Sequence, residues 1–158
     1  MLGQEQLRYV ILVLVAYSAG YGLVLINWID LYAGESIPYY HVWLIFMYFA
    51  PFLTVLVFEG RKDWDYVLAL GLFTSLMNDL FYGWIGAYFT GKQLEINGQP
   101  VDLLTYYVGQ LGLQGWTPLF TFHAGGASFG VYSWLMGLAI FGRIVLVYYL
   151  VHRWWERP

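Results

Sequence analysis

The chain has 158 residues, of which 60% are hydrophobic, 22% aromatic and only 11% charged, with a mean hydropathy of +0.58; a soluble domain carries roughly 25% charged residues, so the composition predicts an integral membrane protein. Seven basic against ten acidic residues leave a net charge of −3, and no basic stripe of the kind that follows a phosphate backbone is present, which excludes nucleic acid as an expected partner. Cysteine is absent, which excludes disulfides, thiolate metal sites and cysteine nucleophiles.

The first apolar run, residues 9–29, is long enough at ~1.5 Å per residue to cross a hydrocarbon core of about 30 Å. Its first half has the look of a signal peptide, with Ala16 and Ser18 as small residues, but the apolar run continues well past them. Residues 30–38, with Gly34, Glu35 and Pro38, have the composition of a turn between antiparallel helices. A second span is predicted over 39–58, kinked at Pro51, which lacks a backbone donor and crowds the carbonyl of Met47. Such a kink is tolerated in a membrane when a neighbouring group satisfies the freed carbonyl. The charged segment from Glu59 to Asp65 belongs in water, and a third span follows over 66–89.

Residues 90–127 form a long connection with few charges and no run long enough to span. Within it, Asn97-Gly98 predicts a small hairpin over residues 92–101, and Val101, Leu104, Val108 and Leu111 recur at helical spacing, as in an interfacial helix. An irregular aromatic loop is the competing reading. A fourth span is predicted over 128–151, ending in an aromatic and basic tail that suits a membrane interface. The expected fold is therefore one all-α membrane domain, a bundle of four transmembrane helices over residues 1–158.

Arg8, Arg61, Lys62, Arg153 and Arg157 fall on one side of such a bundle, with Arg143 close to it, and only Lys92 on the other. Basic residues near helix ends are retained in the cytoplasm, so both termini are expected there, in a plasma or cytoplasmic membrane. Trp28, Trp43, Trp64, Trp84, Trp154 and Trp155 fall near the predicted helix ends, as an aromatic belt requires.

The third span carries the most informative pattern. Gly71, Thr74, Ser75, Asn78, Asp79, Tyr82 and Gly86 share one face at steps of three and four, which predicts an inward polar stripe. An ionised carboxylate at the depth of Asp79 costs several kcal/mol unless it is paired. Three readings follow: a structural tie to Ser75, Asn78, Tyr82 and a polar residue such as Asn27 or Ser133; a proton, cation or substrate site in a cavity; or a contact with a partner subunit. Arg143, basic and inside the fourth span, is expected to snorkel to the headgroups or to pair with Glu59 at the inner end of the second span. Counted from Val151, its depth differs from that of Asp79 by about 10 Å, which argues against a direct pair.

His41 and His123 fall on the far side, with Asp30, Glu35, Glu95 and Asp102 as conceivable co-ligands for zinc, copper or iron. No local His-x-x-x-His pair supports such a site, and no cofactor is implied. Gly125-Gly126 before the fourth span is a weak anion-binding pattern without a lysine, and no nucleophile elbow or zinc-protease helix is present. Small residues repeat at four-residue intervals, as in Ala16 and Gly20, Ser18 and Gly22, Gly83 and Ala87, and Ser133 and Gly137, where they permit close approach of helices. These features predict a non-catalytic structural or accessory subunit of a membrane complex, its partners being the bilayer and other subunits or a second copy. The alternative is a small membrane enzyme or carrier for a lipid or other apolar molecule, with Asp79 and Asn78 as its polar contacts.

Overall fold

The computed structural model describes residues 4–33, 37, 40–59, 61–91, 95–96, 99–100, 118–124 and 126–156. Four helical columns make up its body. The first joins α1 (Gln4–Gly20), a π-helical turn (Tyr21–Ile26) and α2 (Asn27–Ala33). The second joins α3 (Tyr40–Phe49), a 3₁₀ turn (Ala50–Phe52) and α4 (Leu53–Glu59). A 3₁₀ turn at Arg61–Asp63 leads into α5 (Trp64–Thr90), and α6 (Ser133–Trp155) closes the chain. Helix α5 is the hub, packing against α6, all three parts of the first column and α3.

In the first column the stretch Arg8–Tyr32 is, among the described residues, the helix long and apolar enough to cross a membrane, and only 17% of its 18-residue apolar window is buried in the bundle. A core helix of a soluble protein would be mostly covered. The π turn inside it has a visible cause. Asn27 donates its side-chain amide to the carbonyls of Gly22 at 3.1 Å and Leu23 at 2.8 Å, so the widened ladder keeps its freed acceptors satisfied. The same turn brings Gly22 onto the backbone of Thr74 in α5, where a Cβ on Gly22 would stand 2.4 Å from the Thr74 carbonyl oxygen.

The kink expected at Pro51 is present as the 3₁₀ turn between α3 and α4. Its orphaned carbonyl also finds a partner, because the Tyr21 hydroxyl donates to Met47 O at 3.0 Å. The π turn of the first column thus supplies the donor that proline removed from the second.

Two apolar clusters hold the columns. Phe52, Tyr66, Val67 and Leu70 gather at one end with Leu14 and Trp154 against them, while Ile26, Tyr40, Leu44 and Tyr48 gather further along. The start of the first column, the start of α5 and the end of α6 meet at the same end, enclosing a small cavity of about 110 Å³ between Ile11, Val15, Leu70, Phe73 and Val151. Polar groups lie inside, as Ser18, Asn27, Asp65, Thr74, Ser75 and Asn78 are all buried. Apolar groups lie outside, with Val57 79% and Leu12 68% exposed alongside Val42, Phe141 and Leu138.

Two antiparallel hairpins interrupt the helical pattern. Strands β1 (Glu95–Ile96) and β2 (Gln99–Pro100) pair Ile96 with Gln99, in agreement with the hairpin expected around Asn97-Gly98. Strands β3 (Pro118–Ala124) and β4 (Ala127–Tyr132) form the second, with Ala124 opposite Ala127 and Phe122 opposite Phe129. The last helix therefore begins at Ser133, five residues later than its apolar run suggests. Aromatic and β-branched residues such as Phe129, Val131 and Tyr132 suit a paired strand as well as a helix, and a partner strand decides between them. Gly126, at φ +81°, belongs to the turn of this hairpin, so the anion reading of the glycine pair at a helix start is set aside. The interfacial helix expected over residues 101–111 lies outside the described residues.

Gly22→Ala is expected to lower stability by about 1–3 kcal/mol through overpacking against backbone that cannot step aside. Gly20→Ala, where a Cβ meets nothing within 4 Å, should be neutral or slightly stabilising; thermal unfolding in detergent, followed by tryptophan fluorescence, compares the two, and equal melting temperatures would contradict the close approach. Tyr21→Phe should cost about 1 kcal/mol, and the loss should shrink in a Pro51→Ala background, where the restored backbone donor reaches Met47 O.

Candidate functional site

The polar residues along α5 divide into two groups with different partners. Thr74, Ser75 and Asn78 are buried, whereas Tyr82 is 38% exposed. The Thr74 hydroxyl turns back to Leu70 O at 2.9 Å, so it satisfies itself within its own helix. Gly71 meets the ring of Phe49 from α3, which places the second column along this face.

Asp79 and Ser75, one turn apart on α5, form the first group with Arg143 of α6. One guanidinium nitrogen of Arg143 contacts Asp79 Oδ2 at 2.5 Å, and the other terminal nitrogen donates to Ser75 Oγ at 3.0 Å. Its Nε donates to Ala139 O at 3.1 Å, one turn back on α6, and the Ser75 hydroxyl donates in turn to Leu72 O at 3.0 Å. The two charged side chains are 18% and 24% exposed, so the pair is largely withdrawn from the surroundings, where a charge-assisted contact is at its strongest.

Arg143 therefore neither snorkels nor turns to the inner end of the second column; its partner is Asp79. The depth argument fails because α6 runs on to Trp155, past the Val151 end assumed for it. Asp79 lies about 22 Å from the start of α5 and Arg143 about 18 Å from the end of α6, a gap of roughly 4.5 Å that an arginine side chain covers. Nothing is described for the side chain of Glu59.

Asn78 and Asp30 form the second group. Asn78 Nδ2 donates to Asp30 Oδ2 at 3.3 Å, which ties the first column to α5. Asp30 was expected in the connecting turn, yet the first column stays helical to Ala33 and carries it into the bundle. Tyr40 lies beside Asp30, and Tyr48, on the next two turns of α3, lies within electrostatic reach of Asp30, Asp79 and Arg143, so the two groups share one neighbour. The amide of Asn27 goes to its own helix, and does not reach Asp79.

A third polar cluster clamps the end where the basic residues gather. Asp63 Oδ1 accepts from Trp154 Nε1 at 2.7 Å, Tyr66 stacks on Trp154 at 4.4 Å, and Arg153 stands 5.8 Å over the ring of Trp64 while its Nε lies 3.4 Å from Asp65. Asp65 is fully buried under this tail, although its charged neighbourhood in the sequence suggests a residue in water. His41 lies in the first turn of α3 and His123 on β3 opposite Ser128, but their side chains lie outside the described part of the chain. Among the described residues no group of three or more His, Asp or Glu side chains is placed to hold a metal ion.

Asp79→Asn and Arg143→Gln are each expected to destabilise the bundle, since each leaves the other partner uncompensated. The double variant should recover part of the loss, with a coupling of about 1–3 kcal/mol in a double-mutant cycle of detergent unfolding; additivity within about 0.5 kcal/mol would show that the contact holds nothing together. No protein-family description, characterised protein or solved structure matches the chain, so the reading of this site rests on its geometry.

Proposed function

We propose that the chain is a multi-pass membrane protein with four spans and both termini in the cytoplasm, acting as a non-catalytic structural or accessory subunit. The observation that carries this reading is the internal use of the charge pair. Asp79 meets Arg143 of the same chain, which also donates to Ser75, and this leaves the acid engaged in holding α5 to α6 rather than open to a substrate.

The apolar exterior supports the membrane part of the reading, since soluble monomers rarely expose contiguous apolar patches beyond a few hundred Å². Lengths are compatible with it, because α5 with 27 residues and α6 with 23 extend about 40 and 34 Å. The gathering of Arg8, Arg61, Lys62 and Arg153 toward one end supports the orientation. An open apolar groove of about 560 Å³ along the first column, lined by Tyr17, Gly20, Tyr21, Leu25, Trp28 and Phe89, gives a lipid chain or a neighbouring helix a place to pack. The alternative of an enzyme or carrier that uses Asp79 and Asn78 draws less from the geometry, since neither residue lines that groove.

The absence of cysteine makes topology directly measurable. Gln99→Cys should react with a membrane-impermeant maleimide in intact cells and Lys62→Cys only after permeabilisation, and labelling of both from outside would refute the four-span arrangement. The mass of the detergent-solubilised particle tests the subunit role: stoichiometric association with other polypeptides is expected, and a lone chain that retains a lipid or other small apolar molecule would favour the carrier.

A further inference from the structure

The second polar group has properties that bundle packing does not account for. Asn27 and Asn78 are 1% and 2% exposed, and the side-chain oxygen Oδ1 of each is buried with no hydrogen-bond partner among the described residues. Their amide nitrogens are committed, Asn27 to Gly22 O and Leu23 O and Asn78 to Asp30, so both side chains are held with their acceptor ends unspent. Asp30 lies three residues after Asn27 and therefore on the same face of the first column. That face rests on α5, through Gly22 against Thr74 and through Asp30 against Asn78. Two neutral amide oxygens and one carboxylate are thus carried by the two helices that pack against each other here, just past the π turn.

The charges are equally uneven. Arg143 is spent on Asp79, and among the described residues no Lys, Arg or His forms an ion pair with Asp30. Two amide oxygens without donors, together with the negative charge of Asp30, which accepts from Asn78 and has the Tyr40 hydroxyl beside it, suit a cation better than a further hydrogen-bond donor from the chain. Hard oxygen ligands select alkali and alkaline-earth ions over transition metals. A single carboxylate is balanced by a monovalent ion, whereas a divalent one would leave a net positive charge in an apolar interior.

We infer that Asp30, Asn27 and Asn78 form a binding site for a monovalent alkali cation of the Na⁺ class at the contact between the first helical column and α5. Bound there, the ion replaces part of its hydration shell with amide and carboxylate oxygens, as carbonyl dipoles do in ion filters and at broken helices. It locks the π turn of the first column onto α5.

The test uses the purified protein in detergent at fixed pH and ionic strength. As NaCl replaces choline chloride, the melting temperature of the wild type should rise saturably by several degrees, with a smaller rise for KCl, and Asp30→Asn should abolish the dependence. Should Asp30→Asn fail to fold, equilibrium binding of radioactive sodium to the wild type decides, with one ion per chain expected. Identical melting temperatures in sodium, potassium, lithium and choline salts would overturn the site. So would stabilisation by calcium at far lower concentrations than sodium, which would reassign it to a divalent ion, or stabilisation by acid alone, which would mean that a proton neutralises Asp30.

Discussion

An acid and a base can be kept inside an apolar helical bundle when each meets the other at the right depth and the remaining lone pairs and protons find partners of their own. Asp79 and Arg143 meet both conditions. Arg143 spreads three donors over Asp79, Ser75 and its own Ala139 carbonyl, so its charge is shared across two helices. Because α5 also touches all three parts of the first column and α3, fixing α6 on α5 fixes the arrangement of the whole bundle. Moving Arg143 by one helical turn, about 5.4 Å, would break the contact and place two charges in an apolar setting.

The first two columns follow the same logic with backbone groups in place of charges. A proline removes a donor at position 51, a π turn widens the ladder between Tyr21 and Ile26, and each defect is answered by a side chain from the first column. Tyr21 covers the Met47 carbonyl, and Asn27 covers those of Gly22 and Leu23. The two irregularities are complementary, since the segment that departs from α geometry also presents Tyr21 to the kinked neighbour and Gly22 to Thr74. At the opposite end, Asp63, Tyr66 and Trp154 close the bundle with a hydrogen bond and a ring stack, which brings the start of α5 and the end of α6 together and sets the register in which Asp79 and Arg143 face each other.

Much of this was legible in the residue pattern. Apolar runs and their polar interruptions locate the four columns to within a few residues, apart from the start of the last, because a helix must be apolar where it meets an apolar surrounding. The step of three and four from Gly71 to Asn78 marks the inner face of α5, and Pro51 marks the break in the second column, because proline cannot donate. The hairpin at Asn97-Gly98 follows from turn chemistry. Small residues, in contrast, carried no address. Ser18 is buried and Gly22 packs on α5, while Gly20 faces open space, and spacing alone treats the two pairs alike.

Partnership was decided only in three dimensions. The sequence by itself determined which residues are too polar for the apolar faces of the helices, Asp79, Asn78, Ser75 and Arg143 among them, since that depends on side-chain chemistry and helical period. Which of them meet depends on where each helix ends and how two helices slide along each other, and a shift of the end of α6 from Val151 to Trp155 is enough to turn an unreachable pair into a contact. The same holds for Asp30, which reads as part of a turn until the first column continues helical past it, and for β4, which reads as helix until β3 pairs with it. Composition and period are local properties, whereas depth, register and strand pairing belong to the packed chain.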